Sequence, residues 1–347
     1  MRMATLKEIA DQAKVSIGTV DRVIHRRGRV ATETSRRIQK IIRDLDYKPN
    51  ILARSLSSSK SYLFGVLLPL PEQDGFYWEL PLTGIKKAQE ELEIYKVKIN
   101  YFYYDKYSET SLKKAFLSAI QHSPQPDGLL IAPVLSQAME KLIHQIPEKL
   151  PYIFLDSYIP NSKCSAYIGE DSFQSGLLSA KLMNMLVKGS GTVAVMDVLP
   201  FDYHIQDRIQ GFQSYFAQNG KIILTMCQVD ARKPQSFVEA AKKVIQDHQN
   251  LVGIFIPTAC SFYIAEAMMS HGSNHKVFII GYDLVKQNVA CLQKGMIDFL
   301  ISQRSEMQGY TSIYKLYKKV VLKESIESQV LMPLDIITQE NLKYYQN

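Results

Sequence analysis

Beyond Lys60 the chain alternates regularly between strand-length apolar runs and helix-length amphipathic segments, and this alternation constrains the fold more than any other feature of the sequence. FGVLLPL (64–70), KVKINYFYY (96–104), DGLLIAPV (127–134) and PYIFLD (151–156) read as strands. Between them, segments around 83–92, 111–121 and 136–146 carry apolar residues at the helical period. The pattern then repeats. GTVAVMDV (191–198), KIILTMCQV (221–229), LVGIFIP (251–257) and KVFIIGYD (276–283) read as strands, with helices around 172–187, 205–218, 234–247 and 261–269. Such alternation predicts parallel sheets covered by helices on both faces. About eight strands suit one barrel or two separate sheets. In the open-sheet version, ligands bind outside the carboxyl ends of the strands.

The first sixty residues have a different character. Leu6, Ile9, Ala10 and Ala13 form one buried helical face, and Val20, Val23 and Ile24 supply a facing stripe. Thr5 with Glu8 makes a capping box, Ser16 is placed to cap a second helix, and Lys14 and Val15 are left as the turn. After the basic loop HRRGRV (25–30), a third helix opens at Thr32, with Ile38, Ile41, Ile42 and Leu45 on its apolar side. Two helices this short bury little, so the arrangement makes sense if the second is presented to something, and a DNA major groove is the standard candidate. The charge distribution points the same way. Residues 1–60 hold 14 Lys or Arg against 6 Asp or Glu, whereas the rest of the chain holds 27 against 28, so the net charge of +7 belongs to the head. A basic terminal module on a near-neutral body is the footprint of a phosphate-binding head on a separate core.

Several function classes are disfavoured. At 347 residues with 46% hydrophobic content, the chain suits two or three packed units. Its longest apolar runs are strand length and no membrane association is expected; charges in MRMATLKEIADQ disfavour a secretory signal, so a cytoplasmic location is expected. The four cysteines (Cys164, Cys227, Cys260, Cys291) are scattered without a C-x-x-C pair and fit free thiols. His271 and His275 share HGSNH, which reads as a turn and not as a metal-binding helix face. No nucleophilic triad, metal cluster or phosphate loop stands out, so no catalytic residue, metal or cofactor is expected.

TLKEIADQAKVSIGTVDRVI, then DLDYKPNILARSL (44–56), then the α/β body, resembles the lac repressor (LacI/GalR) family of bacterial transcription regulators along nearly the whole chain. The body resembles the periplasmic sugar-binding proteins, ribose-binding type in particular. The resemblance implies an all-α three-helix helix-turn-helix head (1–48), a hinge helix or linker (49–60), and a two-lobed α/β periplasmic-binding-protein-like (type I) body (61–347). Its N-lobe would take about 61–168 and 304–332 and its C-lobe about 169–302 and 333–347, with three crossings between them. The implied activity is that of a non-enzymatic regulator, a repressor of carbohydrate-utilisation genes. The implied partners are double-stranded operator DNA, a second copy of the chain as a homodimer, and a small-molecule effector, a sugar or sugar derivative.

The resemblance also assigns roles. Ile17, Gly18 and Arg22 fall at base-edge positions, Thr19 at phosphates, and Leu56 at the wedge that opens the minor groove; Thr5, Ser16, His25, Arg29, Asn50 and Ala53 complete the implied DNA interface. Ile17 can meet a thymine methyl, but Gly18 reads nothing by side chain. For the effector, DGFYWEL nominates Phe76 and Tyr77 as stacking aromatics with Asp74 as a polar neighbour, and FLDSYIP places Asp156 and Ser157 at the next ligand loop. IGEDSFQSGLLSA places Asp171 at the first crossing, IPTA presents Thr258, and DRIQGFQ, GYD and FLISQRSEMQGY nominate Arg208, Asp283 and Gln303. Carboxylates and a guanidinium give charge-assisted hydrogen bonds to hydroxyls, while an aromatic face covers the C–H side of a sugar ring. Other uses exist for some: Phe76 and Tyr77 as core, Asp171 as the cap of the helix beginning near Ser172, Gln303 as a surface residue. Paired carboxylates also leave open a glycoside-cleaving enzyme, and the body alone would suit a plain carbohydrate-binding protein.

Overall fold

The structure, a computed structural model, describes residues 5–24, 28, 30–45, 60–187, 189–217, 221–271 and 276–345. It divides into two compact units, 1–60 and 61–347.

In the first unit, helices α1 (Leu6–Ala13), α2 (Ile17–Ile24) and α3 (Thr32–Asp44) enclose a small core of Ile9, Ala10, Ala13, Val20, Val23 and Ile38. The Thr5 hydroxyl accepts from the Glu8 N–H at 3.2 Å while the Glu8 carboxylate accepts from the Thr5 N–H at 2.7 Å, which fixes the start of α1. Lys14 ends α1 in the left-handed region (φ 54°) and sends the chain into the turn. The Ser16 hydroxyl then accepts from the Thr19 N–H and caps α2.

The second unit contains two six-stranded sheets, which decides between the barrel and the two-sheet alternatives in favour of the latter. The first sheet is built from β1 (Tyr62–Pro69), β2 (Val97–Tyr104), β3 (Gly128–Ile131), β4 (Tyr152–Leu155), β5 (Ala166–Gly169) and the late strand β11 (Gln329–Leu331), in the order β11-β5-β4-β3-β1-β2, all parallel. The second, β6 (Gly191–Leu199), β7 (Ile222–Asp230), β8 (Leu251–Phe255), β9 (Phe278–Tyr282), β10 (Phe299–Ser302) and β12 (Asp335–Ile337), repeats the order as β12-β10-β9-β8-β6-β7, with only β12 antiparallel. The chain therefore passes between lobes three times: after β5, after β10, and between β11 and β12. Strands β5, β10, β11 and β12, three or four residues each, are additional to the eight read from the sequence pattern.

Helices cover both sheets. The first lobe carries α4 (Glu79–Leu92), α5 (Glu109–Ile120) and α6 (Ser136–Ile143). The second carries α7 (Ser172–Val187), α8 (Tyr203–Ala217), α9 (Pro234–Asp247), α10 (Ser261–His271) and α11 (Lys286–Gln293), and the chain returns through α12 (Ser305–Tyr317) to pack on α4, β3, β4 and β5. One helix pair in each lobe is packed at backbone distance. A Cβ on Gly84 of α4 would stand 1.8 Å from the Glu306 carbonyl oxygen, and one on Gly309 of α12 would stand 2.1 Å from that of Pro81. Gly176 of α7 and Gly211 of α8 stand in the same relation to the Arg208 and Phe173 carbonyl oxygens, each 2.0 Å from an added Cβ. Neither pair can separate without opening its core. Gly309→Val is expected to destabilise the protein by about 3 kcal/mol through forced overpacking, read as a lower urea midpoint.

Candidate functional site

The two sheets meet through the carboxyl ends of their strands, and a narrow cleft with a cavity volume of about 40 Å³ lies there. Almost every polar residue of its wall sits just past a strand. Asp74, Tyr77 and Trp78 follow β1, Lys106 follows β2, Asp156 follows β4, Asp202 and His204 follow β6, Thr258 follows β8, Asp283 follows β9 and Gln303 follows β10. Arg208 reaches in from α8.

The centre of the cleft is a chain of hydrogen bonds joining the lobes. The Tyr77 hydroxyl donates to Asp156 Oδ1. Gln303 Nε2, at the second crossing, lies 3.1 Å from the Tyr77 hydroxyl and 3.2 Å from Asp283 Oδ1. Gln308 in turn donates to the Gln303 Oε1 at 3.0 Å, which fixes the orientation of that amide. Asp156 and Asp283 end the corresponding strand of each lobe, and both have left-handed backbone (φ 69° and 67°), a conformation that Asp adopts more readily than most residues.

Arg208 is the best-anchored cation. Its Nε donates to Glu170 Oε1 at 2.5 Å, its Nη1 donates to the Pro257 carbonyl at 2.8 Å, and its guanidinium lies 4.0 Å from the centre of the Tyr282 ring. Lys106 Nζ donates to Asp74 Oδ2 at 2.6 Å, and that carboxylate also accepts from Trp78 Nε1 and the Tyr107 hydroxyl. Asp74 is thus saturated by its own lobe.

Further bonds cross between lobes at the lips of the cleft. The Ser136 hydroxyl donates to Asp202 Oδ1 at 2.9 Å, the Tyr158 hydroxyl donates to Asp207 Oδ2 at 2.6 Å, and the Tyr203 hydroxyl donates to Glu140. Gly75 packs against the opposite lobe so closely that a Cβ would stand 2.8 Å from the Phe262 ring. The lobes are closed on each other in this structure.

Of the nominated effector residues, the structure brings Asp74, Tyr77, Asp156, Arg208, Thr258, Asp283 and Gln303 together at the cleft. Three others stand elsewhere. The left-handed turn at Asp74, Gly75 and Phe76 rotates the Phe76 ring outward, where it is 46% exposed, and swings Tyr77 and Trp78 in instead. Ser157 is fully buried behind the wall. Asp171 caps α7, accepting from the Gln174 N–H at 3.0 Å, and its neighbour Glu170 takes the buried position beside Arg208. Sequence reasoning missed Trp78, Lys106, Glu170, Asp202 and His204. For Lys106 and Asp202, the rule that ligands sit past strand ends was a usable signal.

In the head, the outward face of α2 carries Ile17, Gly18 and Arg22, with Ile17 48% exposed, while Thr5, Ser16 and Thr19 serve as caps or lie beside them. His25, Arg29, Asn50, Ala53 and Leu56 lie outside the described residues. No helix among the described residues is long and apolar enough to cross a membrane, and no group of three or more metal-ligating side chains occurs among them.

A capped helix pair with an exposed second helix, joined to a two-lobed body with a polar cleft at its strand ends, defines a regulator-type head on a ligand-binding-type body. Residues 64–324 match the periplasmic binding protein domain, and residues 5–50 match the bacterial regulatory proteins of the lacI family. Over most of its length the chain belongs to the periplasmic binding protein domain family, and its N-terminal segment is a lacI-family match. It is 27% identical over 217 residues to the HTH-type transcriptional regulator MalR of Streptococcus pneumoniae, covering 60% of this chain and 61% of that protein. The chain thus spans about three fifths of the length of the curated relatives that head the comparison. The ribose operon repressor of Lactococcus lactis is 24% identical with 98% of both chains covered. Among solved structures, a putative LacI transcriptional regulator from Bacteroides fragilis superposes with a TM-score of 0.74 at 26% identity, covering 83% of this chain and all of that one. A glucose-galactose binding protein from Geobacillus stearothermophilus shares the fold, with a TM-score of 0.73 at 22% identity over 82% of this chain and 99% of that one.

The cleft carboxyls hold protons unusually well. Burial pushes Asp283 up to about 8, against the pull of Arg208, and Asp156 and Glu170 push it further. Burial likewise raises Asp202 to about 7 and Asp156 to about 6. The His204 imidazole is held well below its usual range by burial and by the charges of Arg208 and Lys106, so it is neutral. For an acid whose folded pKa lies above its unfolded value, the folded state binds the extra proton, and stability falls as pH rises through that window. The ligand-free protein is therefore expected to lose thermal stability as pH rises from the ordinary Asp value of 3.8 to about 8. Asp283→Asn should flatten the upper part of this profile, measured by calorimetry across pH; an unchanged profile would contradict the assignment.

Proposed function

We propose that the chain is a ligand-responsive, DNA-binding transcription regulator located in the cytoplasm, a repressor of carbohydrate-utilisation genes. It binds a two-fold operator as a homodimer, and a sugar or sugar derivative occupies the interlobe cleft. The carrying observation is that one chain holds both a capped helix pair with Ile17, Gly18 and Arg22 on its outward face and a cleft whose polar groups come from both lobes. The relatives named as operon repressors support the reading. In it, α2 enters the major groove, with Arg22 the residue on that face able to donate to a base edge, and a hinge at 49–60 carries Leu56 as the minor-groove wedge. Thr5, Ser16, Thr19, His25, Arg29, Asn50 and Ala53 contribute around them, mostly toward the backbone.

Effector control follows from the cleft. Both lobes supply hydrogen-bonding groups, so a ligand contacts both only when they are closed and favours that arrangement by its differential affinity. Trp78 and Tyr77 offer ring edges and faces to apolar C–H groups, while Arg208, Asp156, Asp283 and Gln303 address hydroxyls.

Two outcomes test the reading. Removing residues 1–60 is expected to leave sugar-induced thermal stabilisation intact and to abolish DNA binding in a mobility shift. Leu56→Ala should weaken binding to an operator selected from random duplexes by about tenfold or more while leaving non-specific binding nearly unchanged. Equal losses on both DNAs would count against the wedge.

A further inference from the structure

With its carboxylates ionised, the cleft has more negative charge than positive. Its wall carries four carboxylates, Asp74, Asp156, Asp202 and Asp283, against the cations Lys106 and Arg208 and a neutral His204. Both cations are already engaged: Lys106 pairs with Asp74 at 2.6 Å and Arg208 with Glu170, behind the wall, at 2.5 Å. Among the described residues, Asp202 and Asp283 have no salt bridge, and Asp156 has only the His204 imidazole at 3.8 Å. All three are at most 3% exposed. Carboxylates buried this deeply without a cation are costly unless they hold protons or a ligand brings the positive charge.

A second observation points to a ligand independently. Arg208 Nη2 and His204 Nδ1 are buried polar atoms of the cleft wall without a hydrogen-bond partner. The guanidinium nitrogen can only donate, so it asks for an acceptor oxygen such as a hydroxyl. The occupant must therefore offer hydroxyl oxygens to Arg208 and positive charge or strong donors to Asp156, Asp202 and Asp283.

Resting on the sugar-effector reading, we propose that the effector is a polyhydroxylated amine of monosaccharide size, an amino sugar with a free ammonium, and not a neutral or phosphorylated sugar. The ammonium takes the place of the missing cation between the carboxylates of the two lobes, and its charge-assisted hydrogen bonds are stronger than those of a hydroxyl. A phosphate group would face the same three carboxylates and find its one guanidinium already paired. N-acetylation would remove the charge while keeping the nitrogen.

The experiment is titration calorimetry of the full chain against glucosamine, galactosamine and mannosamine, their parent hexoses, their N-acetyl derivatives and their 6-phosphates. At least one free hexosamine is expected to bind about tenfold or more tightly than its parent hexose and its N-acetyl form, a gap of about 1.4 kcal/mol, with no binding of the phosphates. Asp202→Asn and Asp283→Asn, each checked for a native circular dichroism spectrum, should narrow that gap. A parent hexose or phosphate binding as tightly as the amine would overturn this inference and leave the sugar-regulator reading standing. Absence of binding by every compound would overturn both. A gap unchanged in both variants would also overturn the charge argument.

Discussion

The buried ion pair between Arg208 and Glu170 is the interaction on which the geometry of the cleft depends. Glu170 is the first residue past β5, where the chain leaves one lobe, and Arg208 lies on α8 of the other, so the pair ties the first crossing to the helix it faces. Arg208 is 1% exposed, and its remaining groups are fixed by the Pro257 carbonyl and by the Tyr282 ring. The ring is positioned in turn by Ser175, 2.6 Å from its hydroxyl, on α7. Losing one member of such a pair leaves an uncompensated buried charge and costs about 3–5 kcal/mol. The close approach of α7 and α8 at Gly176 leaves the Arg208 backbone no freedom to adjust. What the pair gives in return is orientation: with Nε and Nη1 committed, only Nη2 is left to address the cleft.

The same economy of position recurs in the carboxylates. Each lobe ends its corresponding strand, β4 or β9, in an aspartate of left-handed backbone, and Tyr77 and Gln303 join the two. Such backbone stores strain on the order of 1–3 kcal/mol per residue and persists only where the surroundings over-determine it. Here they do, because the strands that lead into them are parallel strands of their sheets and are buried at every residue but Phe278.

Much of this was legible in the sequence. Eight of the twelve strands among the described residues, the three-helix head and its caps follow from periodicity and capping chemistry alone. Arg208, Asp283 and Gln303 were placed at the cleft by resemblance, and Asp74, Tyr77, Asp156 and Thr258 with them. What failed was side-chain direction. At 170–171 two adjacent acids compete for two jobs, capping α7 and pairing Arg208, and spacing cannot say which does which. At 74–78 three successive positive-φ residues break any helical or strand period, so the outward turn of Phe76 and the inward turn of Trp78 follow from backbone that no hydrophobic pattern encodes. Lys106 and Asp202 were missed because each lies in a loop and is defined by a partner distant in sequence, Asp74 and Ser136.

The closed arrangement of the lobes also explains how a polar cleft can coexist with a stable fold. Tyr158 and Tyr203 satisfy carboxylates of the facing lobe at its lips and Ser136 donates to the buried Asp202, so closure replaces water by protein hydrogen bonds on both sides. The interior carboxylates receive only partial compensation, from Tyr77 and Gln303, and stay proton-rich through burial. The closed state is thus well bonded at its rim and short of positive charge at its centre. A ligand that completes the centre adds free energy to the closed arrangement alone, because in an open one the groups from the two lobes no longer converge. That differential is the quantity any control of the head would draw on. It is largest for an occupant that supplies what the wall lacks, positive charge toward the aspartates and an acceptor toward Arg208.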